Sequence, residues 1–189
     1  MPLLAAGDPL PRRPRRVLVA GTSGSGKTTL ARVVADVLGC PHAELDALHH
    51  GPGWTKRPEF EDDVHRGTAG PTWASEWQYA AVREVLLDRA DLLVWLDLPR
   101  RVVMSRVVRR TVRRRIRREV LWNGNTEPPL RTFLTDPDHI VRWAWRTHAR
   151  TGERVLAVCA SRPELVVVRL TAPAQVAAWV EGPLRSSAR

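Results

Sequence analysis

The run Gly21-Thr-Ser-Gly-Ser-Gly-Lys-Thr28 constrains the fold of this chain more than any other feature. It matches the pattern G-x-x-x-x-G-K-[ST]. The apolar segment Arg16–Ala20 precedes it and predicts a buried strand, whereas Thr29–Leu38 has apolar residues at helical spacing and ends before Gly39. A strand, a glycine-rich turn and a helix in this order predict a phosphate-binding loop rather than a chance match.

The chemistry of such a loop assigns roles to its residues. The glycines allow the backbone to wrap a polyphosphate, so that several N–H groups point at it from a helix N-terminus. Lys27 is expected to reach the β- and γ-phosphates of ATP, and the Thr28 hydroxyl is expected to complete the shell of Mg²⁺. The predicted nucleotide-binding residues of the loop are Gly21, Thr22, Ser23, Gly24, Ser25, Gly26, Lys27, Thr28 and Thr29.

Length and composition indicate one ordinary domain. A chain of 189 residues buries a core without disulfides, and Cys40 and Cys159 stand far apart, which favours a reducing cytoplasm. No apolar stretch approaches the ~20 residues that cross a bilayer, so we expect no membrane partner. We expect a flexible leader rich in proline and arginine over residues 1–15, one domain over residues 16–181 and a flexible tail over residues 182–189.

Strand and helix patterns alternate along the rest of the chain. Four further segments predict strands, namely Pro41–Asp46, Thr72–Trp77, Leu92–Leu96 and Leu165–Leu170. The segments between and after them predict helices, namely Glu59–Arg66, Tyr79–Ala90, an arginine-rich helix opened by Pro99, a helix that begins at Asp136 or Asp138, and Pro173–Val180. This alternation predicts an α/β fold with a parallel sheet and helices on both faces.

Three acids lie at or next to the carboxyl ends of predicted strands, where ligands gather on such sheets. Asp46 is expected to orient a phosphoryl acceptor or to take its proton, with a loop acid that caps a turn as the alternative. Glu44 is expected to lie on the same strand face and to support the metal. Asp97 follows Leu92–Leu96, where it either holds Mg²⁺ through water or caps the next helix.

Arginine dominates the basic residues of this chain. The net charge is +10, and the segment Arg100–Arg118 contains no acid. Such a helix can face nucleic acid, line an anionic site or be solvated, and the phosphate-binding loop favours arginines that face ATP. Because phosphoryl transfer needs positive charge in a site sealed from water, Arg106, Arg109 and Arg110, followed by the turn-rich Trp122–Pro129, predict a closing segment.

The loop after Asp46 contains a second candidate substrate contact. Trp54 follows Gly51-Pro-Gly and is expected to face the acceptor. The adjacent His49 and His50 suit neither a metal pair on one face nor a paired acid and base, so we expect them to be loop histidines.

Several motifs together resemble the adenylate-kinase-like P-loop NTPase family, and most closely its FlaR-like group of small P-loop kinases, often labelled "DNA topology modulation". These motifs are Gly21–Thr28, Leu45–Leu48 with Pro52–Trp54, and Leu96–Arg100 with arginines nine and ten positions further on. The resemblance covers about residues 16–180. It implies a five-stranded parallel sheet in the order 2-3-1-4-5, with a helical lid at about residues 106–135.

The same resemblance implies further site residues. Arg106 is expected to stack on adenine and Arg110 to touch phosphate, so that both join Lys27 and Asp46 in the catalytic set. Arg169 and Pro173 are expected to bound the edge of the adenine. Members of the group carry W-x-x-D-G-N-Y after the third strand, whereas this chain has Trp77 in place of the glycine. This change predicts an altered turn and an acceptor pocket that is either reshaped or closed.

Two functional hypotheses follow. In the first, the chain is a small kinase that transfers the γ-phosphoryl group of ATP to a nucleotide, nucleoside or other small hydroxylated acceptor. In the second, it is a nucleotide-binding regulator with little transferase activity that acts on nucleic acid or a protein partner. Acceptor-dependent consumption of ATP favours the first, and salt-dependent DNA binding through Arg100–Arg118 favours the second.

Overall fold

The architecture is taken from a computed structural model, which describes residues 3–129, 132–136 and 139–188. Residues 130 and 131 of the predicted lid lie outside this range, as does Asp138, one of two predicted helix starts. Among the described helices, none combines the length and apolar character that crossing a bilayer requires.

A parallel sheet organises the molecule, as the alternating pattern predicts. Its strands are β1 (Leu3–Leu4), β2 (Arg16–Gly21), β3 (His42–Ala43), β4 (Trp73–Glu76), β5 (Leu92–Leu96) and β6 (Val166–Leu170). They lie side by side in the order β3-β4-β2-β5-β6-β1, and every neighbouring pair is parallel. The five predicted strands are β2 to β6, and their predicted order 2-3-1-4-5 is confirmed.

The expected number of five strands is wrong by one, because β1 joins the edge of the sheet. Leu3 and Leu4 pair in register with Val167 and Val168 of β6. Leu4 is partly buried against the core, and its packing gives this short strand an apolar anchor. The sixth strand comes from the segment expected to form a leader.

Helices cover both faces of the sheet. They are α1 (Lys27–Leu38), α2 (Leu45–His49), α3 (Phe60–Gly67), α4 (Ala80–Arg89), α5 (Arg100–Ile116), α6 (Thr132–Thr135), α7 (Ile140–Ser161), α8 (Pro173–Trp179) and α9 (Arg185–Ala188). Single helical turns also occur at Pro52–Trp54 and Trp122–Gly124.

The central strands are apolar throughout because both of their faces are covered. In β2, Val17 and Val19 contact the cluster that α1 and α8 complete, whereas Leu18 and Ala20 contact the opposite cluster. This alternation holds the phosphate-binding loop, which follows β2 directly, at the centre of the carboxyl edge of the sheet.

The second predicted strand differs from the observed element. It was expected to run to Asp46, but β3 ends at Ala43 and helix α2 begins at Leu45. The buried carboxylate of Glu76 accepts a hydrogen bond from the Leu45 backbone N–H at 3.1 Å, which stabilises a helix start at this point. Glu44 and Asp46 therefore do not share one face of a strand, and that expectation is wrong.

Candidate active site at the phosphate-binding loop

The loop between β2 and α1 has the backbone shape that its glycines predict. Gly24 and Gly26 adopt φ values of 84° and 100°, which L side chains rarely adopt. A Cβ on Gly24 would lie 2.2 Å from Cγ2 of Val107 in helix α5. The loop is thus tight in itself and packed closely against α5.

Helix α1 presents its N-terminus to the loop without a protein cap. Gly26 is its N-cap, no side chain caps it, and its first turn contains no acid. The free backbone N–H groups and the positive end of the helix dipole favour an anion here. Lys27 occupies the first helical position, and its Nζ lies 3.4 Å from the carbonyl oxygen of Thr22.

Charged side chains surround Lys27. Burial lowers the pKa of Lys27, the carboxylates of Asp46 and Glu76 oppose this shift, and the Arg110 guanidinium adds to it. An ammonium between two acids and a guanidinium lies where transferred phosphoryl charge could be bound. The fold therefore brings Lys27, Asp46 and Arg110 together from three distant segments.

Arg110 has the environment of an anion-binding side chain. Burial lowers its pKa, as does the neighbouring Arg114, whereas Glu127 and Asp46 raise it. Its Nε is buried without a hydrogen-bond partner in the part of the chain that the structure describes. A buried guanidinium with an unused donor is costly unless a ligand supplies the acceptor.

The Asp46 carboxylate is held through one of its two oxygens. Its Oδ1 accepts hydrogen bonds from the Tyr79 hydroxyl at 2.6 Å and from Nε2 of Gln78 at 2.8 Å. Among the described residues, no hydrogen bond reaches its Oδ2. Asp46 is thus oriented by the protein and keeps one oxygen for another molecule.

Histidines extend the network behind Tyr79. The Tyr79 hydroxyl donates its proton to Asp46 and therefore accepts a hydrogen bond from Nε2 of His50 at 3.1 Å. His50 thus carries its proton on Nε2. The two Nδ1 atoms of His49 and His50 lie 3.4 Å apart. Burial lowers the pKa of both histidines, which favours their neutral forms. The adjacent histidines, expected to be ordinary loop residues, thus support the acid.

The other predicted metal ligands have protein partners. Asp97 accepts a hydrogen bond from Nε of Arg169 at 2.8 Å, and the Arg169 guanidinium lies over the Trp95 ring. Glu44 accepts from the Trp122 indole N–H at 2.8 Å and pairs with Arg32. Among the described residues, no three His, Cys, Asp or Glu side chains group in a way that could hold a metal ion.

The remaining predicted residues lie around the loop. Arg106 donates to the carbonyl oxygen of Ser25 at 3.1 Å, so this arginine contacts the phosphate-binding loop itself. Thr28 lies in the first turn of α1, and Pro173 begins α8 after β6. The adenine-binding roles of Arg106, Arg169 and Pro173 stay predictions.

Trp54 contacts the segment that was predicted to form a lid. Its backbone N–H donates to Oδ1 of Asn125 at 3.1 Å, and its indole N–H donates to the carbonyl oxygen of Thr126 at 3.2 Å. Its ring packs edge to face against His50 and Trp122. Trp54 therefore reaches the site through His50.

Glu76 is a site residue that the sequence pattern did not single out. Its side chain is fully buried at the carboxyl end of β4, next to the strand that leads into the loop. Besides the Leu45 N–H, it contacts Nε2 of His42 at 3.2 Å. Burial opposes ionisation of Glu76, but these hydrogen bonds outweigh it and lower the pKa of Glu76, which favours its ionised form. The rule that selected Asp46, an acid at the end of a strand, also applies to Glu76.

The Trp77 side chain lies in the core. Trp77 is buried in the cluster on the face of α4, with Arg83 over its ring. The turn after it places Gln78 and Tyr79 on Asp46, with Tyr79 at a φ of 59°. The Trp77 side chain packs into the core, while the next two residues, Gln78 and Tyr79, contact Asp46.

Comparison with solved structures supports the fold. A gluconokinase from Sinorhizobium meliloti 1021 matches with a TM-score of 0.51 and 20% identity, over 93% of this chain and 95% of the gluconokinase. A shikimate kinase from Acinetobacter baumannii in complex with shikimate matches with a TM-score of 0.42 and 19% identity, over 92% of this chain and 88% of the other. At such identities the first match shows the fold alone, and the second carries no argument.

No protein-family model matches this chain, and no curated protein matches it either. The α/β fold expected from the resemblance is confirmed, whereas membership of the FlaR-like group stays a prediction.

Proposed function

We propose that this chain is a small ATP- and Mg²⁺-dependent kinase that transfers the γ-phosphoryl group of ATP to a small hydroxylated acceptor. The observation that carries the proposal is the convergence of Lys27, Asp46 and Arg110 beside an uncapped helix N-terminus. Two cations at the expected γ-phosphate and one oriented acid beside them supply the charges that phosphoryl transfer needs.

In the proposed reaction, the acceptor oxygen bonds to the γ-phosphorus while the bond to the β–γ bridging oxygen breaks, which releases ADP. The acceptor proton passes to Oδ2 of Asp46, the oxygen that no described protein group occupies. Lys27 and Arg110 stabilise the charge on the transferred group. Arg106 orders the loop through the Ser25 carbonyl.

The site fits a magnesium ion bound mainly by non-protein ligands. Mg²⁺ usually keeps several waters and takes phosphate oxygens with only one or two protein groups. The Thr28 hydroxyl lies in the first turn of α1 and has no hydrogen bond within the described chain, so it is available to the ion. When bound, Mg²⁺ would neutralise phosphate charge. The roles of Asp97 and Glu44 as ligands stay predictions because each carboxylate already has a protein partner.

The proposal is tested by incubating the protein with γ-labelled ATP, Mg²⁺ and pooled nucleotides, nucleosides and small hydroxylated metabolites. Label should move to one acceptor, and Lys27→Ala should reduce the rate by about 10²–10³-fold, the usual cost of removing one donor to transition-state charge. The other lysine of the chain provides a matched control, because Lys56 is half exposed and pairs with Glu61. Equal rates for Lys27→Ala and Lys56→Ala would contradict the proposal.

A nucleic-acid-binding regulator is the second candidate, and the outer face of α5 favours it. Arg101, Arg109 and Arg115 of α5 are exposed, and Trp143 and Trp145 of the neighbouring α7 are exposed as well. Arginines and exposed aromatic rings are the groups that bind single strands. DNA binding that falls steeply with salt, together with transfer of label to no acceptor, would favour this function over the kinase.

A further inference from the structure

Two short turns from distant parts of the chain have the same shape. The tryptophan turn (His50–Lys56) follows α2, and the lid turn (Val120–Thr126) follows α5. In each, the first and last residues form an antiparallel bridge. In each, the second N–H donates to the sixth carbonyl at 2.7 Å, from Gly51 to Thr55 and from Leu121 to Asn125.

The two turns interlock through Asn125. Its side chain is buried, with Nδ2 donating to the Gly51 carbonyl at 2.9 Å and Oδ1 accepting from the Trp54 N–H. The Trp54 indole adds its hydrogen bond to Thr126. The two Asn125 bonds are buried or partly buried, whereas the bond of the Trp54 indole is exposed. A buried polar contact such as that of Asn125 specifies one arrangement of its two sides.

His50 connects this contact to the candidate acid. Its carbonyl oxygen accepts a hydrogen bond from the Asn123 side chain of the lid turn, and its ring packs against the rings of Trp54 and Trp122. On its other side, its Nε2 donates to Tyr79, which in turn donates to Asp46. A continuous chain of contacts therefore runs from the lid turn to the Asp46 carboxylate.

We infer that docking of the lid turn on the tryptophan turn sets the orientation of Asp46 through His50 and Tyr79. The inference rests on the proposed function, in which Asp46 takes the acceptor proton. Asn125 and His50 are then positioning residues for that step. The tip of the lid serves the acceptor side of the site, while the base of the same helix serves ATP through Arg106.

Backbone strain supports the inference. In the described chain, the non-glycine residues with positive φ are Trp54, Tyr79, Arg118 and Asn123. Three of them belong to this chain of contacts, and Arg118 lies two residues before the lid turn. Such conformations are unfavourable for L side chains and persist where surrounding contacts hold them, typically at functional sites.

The only tyrosine of this chain reports on the link without any need for an acceptor. The Tyr79 ring packs against His49 and His50, and its hydroxyl donates to Asp46. Burial, followed by the charges of Asp46 and Glu76, raises its pKa above the ordinary value of 10.0. In the intact protein its phenol should stay protonated through pH 10, as measured by the ultraviolet absorbance of tyrosinate.

The test compares Asn125→Ala with Thr55→Ala. The Thr55 hydroxyl bonds the Pro52 carbonyl within its own turn, so its removal leaves the contact between the turns intact. Asn125→Ala should lower the pH at which Tyr79 ionises by about one unit or more, because a loosened site is better solvated. It should also reduce kcat for transfer by about tenfold or more with unchanged MgATP affinity, because Asp46 is misplaced. Thr55→Ala should change neither.

His50 supplies a second pair of variants in case Asn125→Ala does not fold, as judged by circular dichroism and thermal unfolding. His50→Ala should lower the ionisation pH of Tyr79 in the same way, and His50→Gln, which keeps a donor, should restore it in part. An unchanged Tyr79 titration in folded Asn125→Ala overturns the inference, as does a shifted titration with unchanged kcat. If the wild type transfers no label, the proposed function fails. The Tyr79 titration still decides whether docking of the lid turn sets the orientation of the hydrogen-bonded pair Tyr79 and Asp46.

Discussion

Glu76 is a charged side chain that the fold encloses completely at the end of β4. Its carboxylate accepts a hydrogen bond from the backbone N–H of Leu45, the first residue of α2, and Asp46 is the second residue of that helix. A carboxylate in this position is retained because His42 and the Leu45 N–H satisfy it. Its contribution to stability therefore depends on its charge.

The pKa of Glu76 is lowered from its ordinary value of 4.5 in the folded protein. The stability that this difference supplies is complete above pH 4.5 and is lost as the pH falls through the folded pKa. Glu76→Gln should therefore lower the free energy of unfolding at neutral pH by about 1–3 kcal/mol, the cost of leaving buried partners poorly satisfied. The difference from wild type should shrink below pH 4.5, as measured by urea unfolding.

Glu84→Gln is the matched control for this prediction, because the Glu84 side chain is 76% exposed and only bonds Arg162 at the surface. A pH-independent difference between Glu76→Gln and wild type would show that the charge of Glu76 does not stabilise the fold.

At the residue scale, motif chemistry predicted the residues of the loop and the acid opposite it. Lys27 and Asp46 were selected from their types and positions, and Arg110 through the family resemblance. The fold brings the three together. Tyr79 was not selected, because its contact with Asp46 depends on a φ of 59° that no pattern predicts for a bulky side chain. His50 was not selected either, since its role depends on Tyr79.

At the scale of elements, the phosphate-binding loop depends on its packing against α5. Gly24 lies at a φ of 84°, and its Cα faces Val107 closely enough to exclude a Cβ. Gly24→Ala should lower the free energy of unfolding by about 1–3 kcal/mol through backbone strain and overpacking. It should also weaken MgATP binding, which calorimetry measures.

Gly182→Ala is the control for the loop glycine, because Gly182 has no neighbour within 4 Å of the added Cβ and its φ is not positive. Equal stability and equal MgATP affinity of the two variants would show that the positive φ of Gly24 and its packing against Val107 do not shape the loop.

The long elements followed from sequence, whereas the short ones did not. Buried runs predicted β2, β5 and β6, because strands covered on both faces are apolar throughout. Helix α2 has five residues and starts at Leu45, whose backbone N–H donates to the Glu76 carboxylate. This hydrogen bond joins segments that are far apart in the chain. Local patterns do not contain such contacts, and the same holds for the two interlocked turns.

At the scale of the whole molecule, β1 completes the sheet by pairing with the outer edge of β6. An uncovered edge strand is a site for unwanted pairing between chains, and β1 occupies part of the β6 edge. Between β1 and β2, the Arg13 guanidinium donates hydrogen bonds to the carbonyl oxygens of Leu38 and Ala188, which anchors the N-terminal segment to α1 and α9.

Leu3 and Leu4 allow a matched test of this strand. Leu4 packs against the core, whereas Leu3 is 40% exposed. Leu4→Ala should destabilise the protein by about 1–2 kcal/mol through lost burial, and Leu3→Ala by less than about 0.5 kcal/mol. Thermal unfolding measures both, and equal effects would contradict a role for β1 in the core.

In the proposed kinase, the oriented carboxylate of Asp46 beside the phosphate-binding loop takes the acceptor proton. The most direct measurement is γ-phosphoryl transfer from MgATP to the pooled acceptors by wild type, Asp46→Asn and Asp36→Asn, with MgATP affinity measured in parallel. Asp36 is exposed on α1 and serves as the control. Asp46→Asn should bind MgATP like wild type and lose transfer by about 10²–10⁴-fold, the contribution of a general base. Transfer at the wild-type rate by Asp46→Asn would contradict the claim.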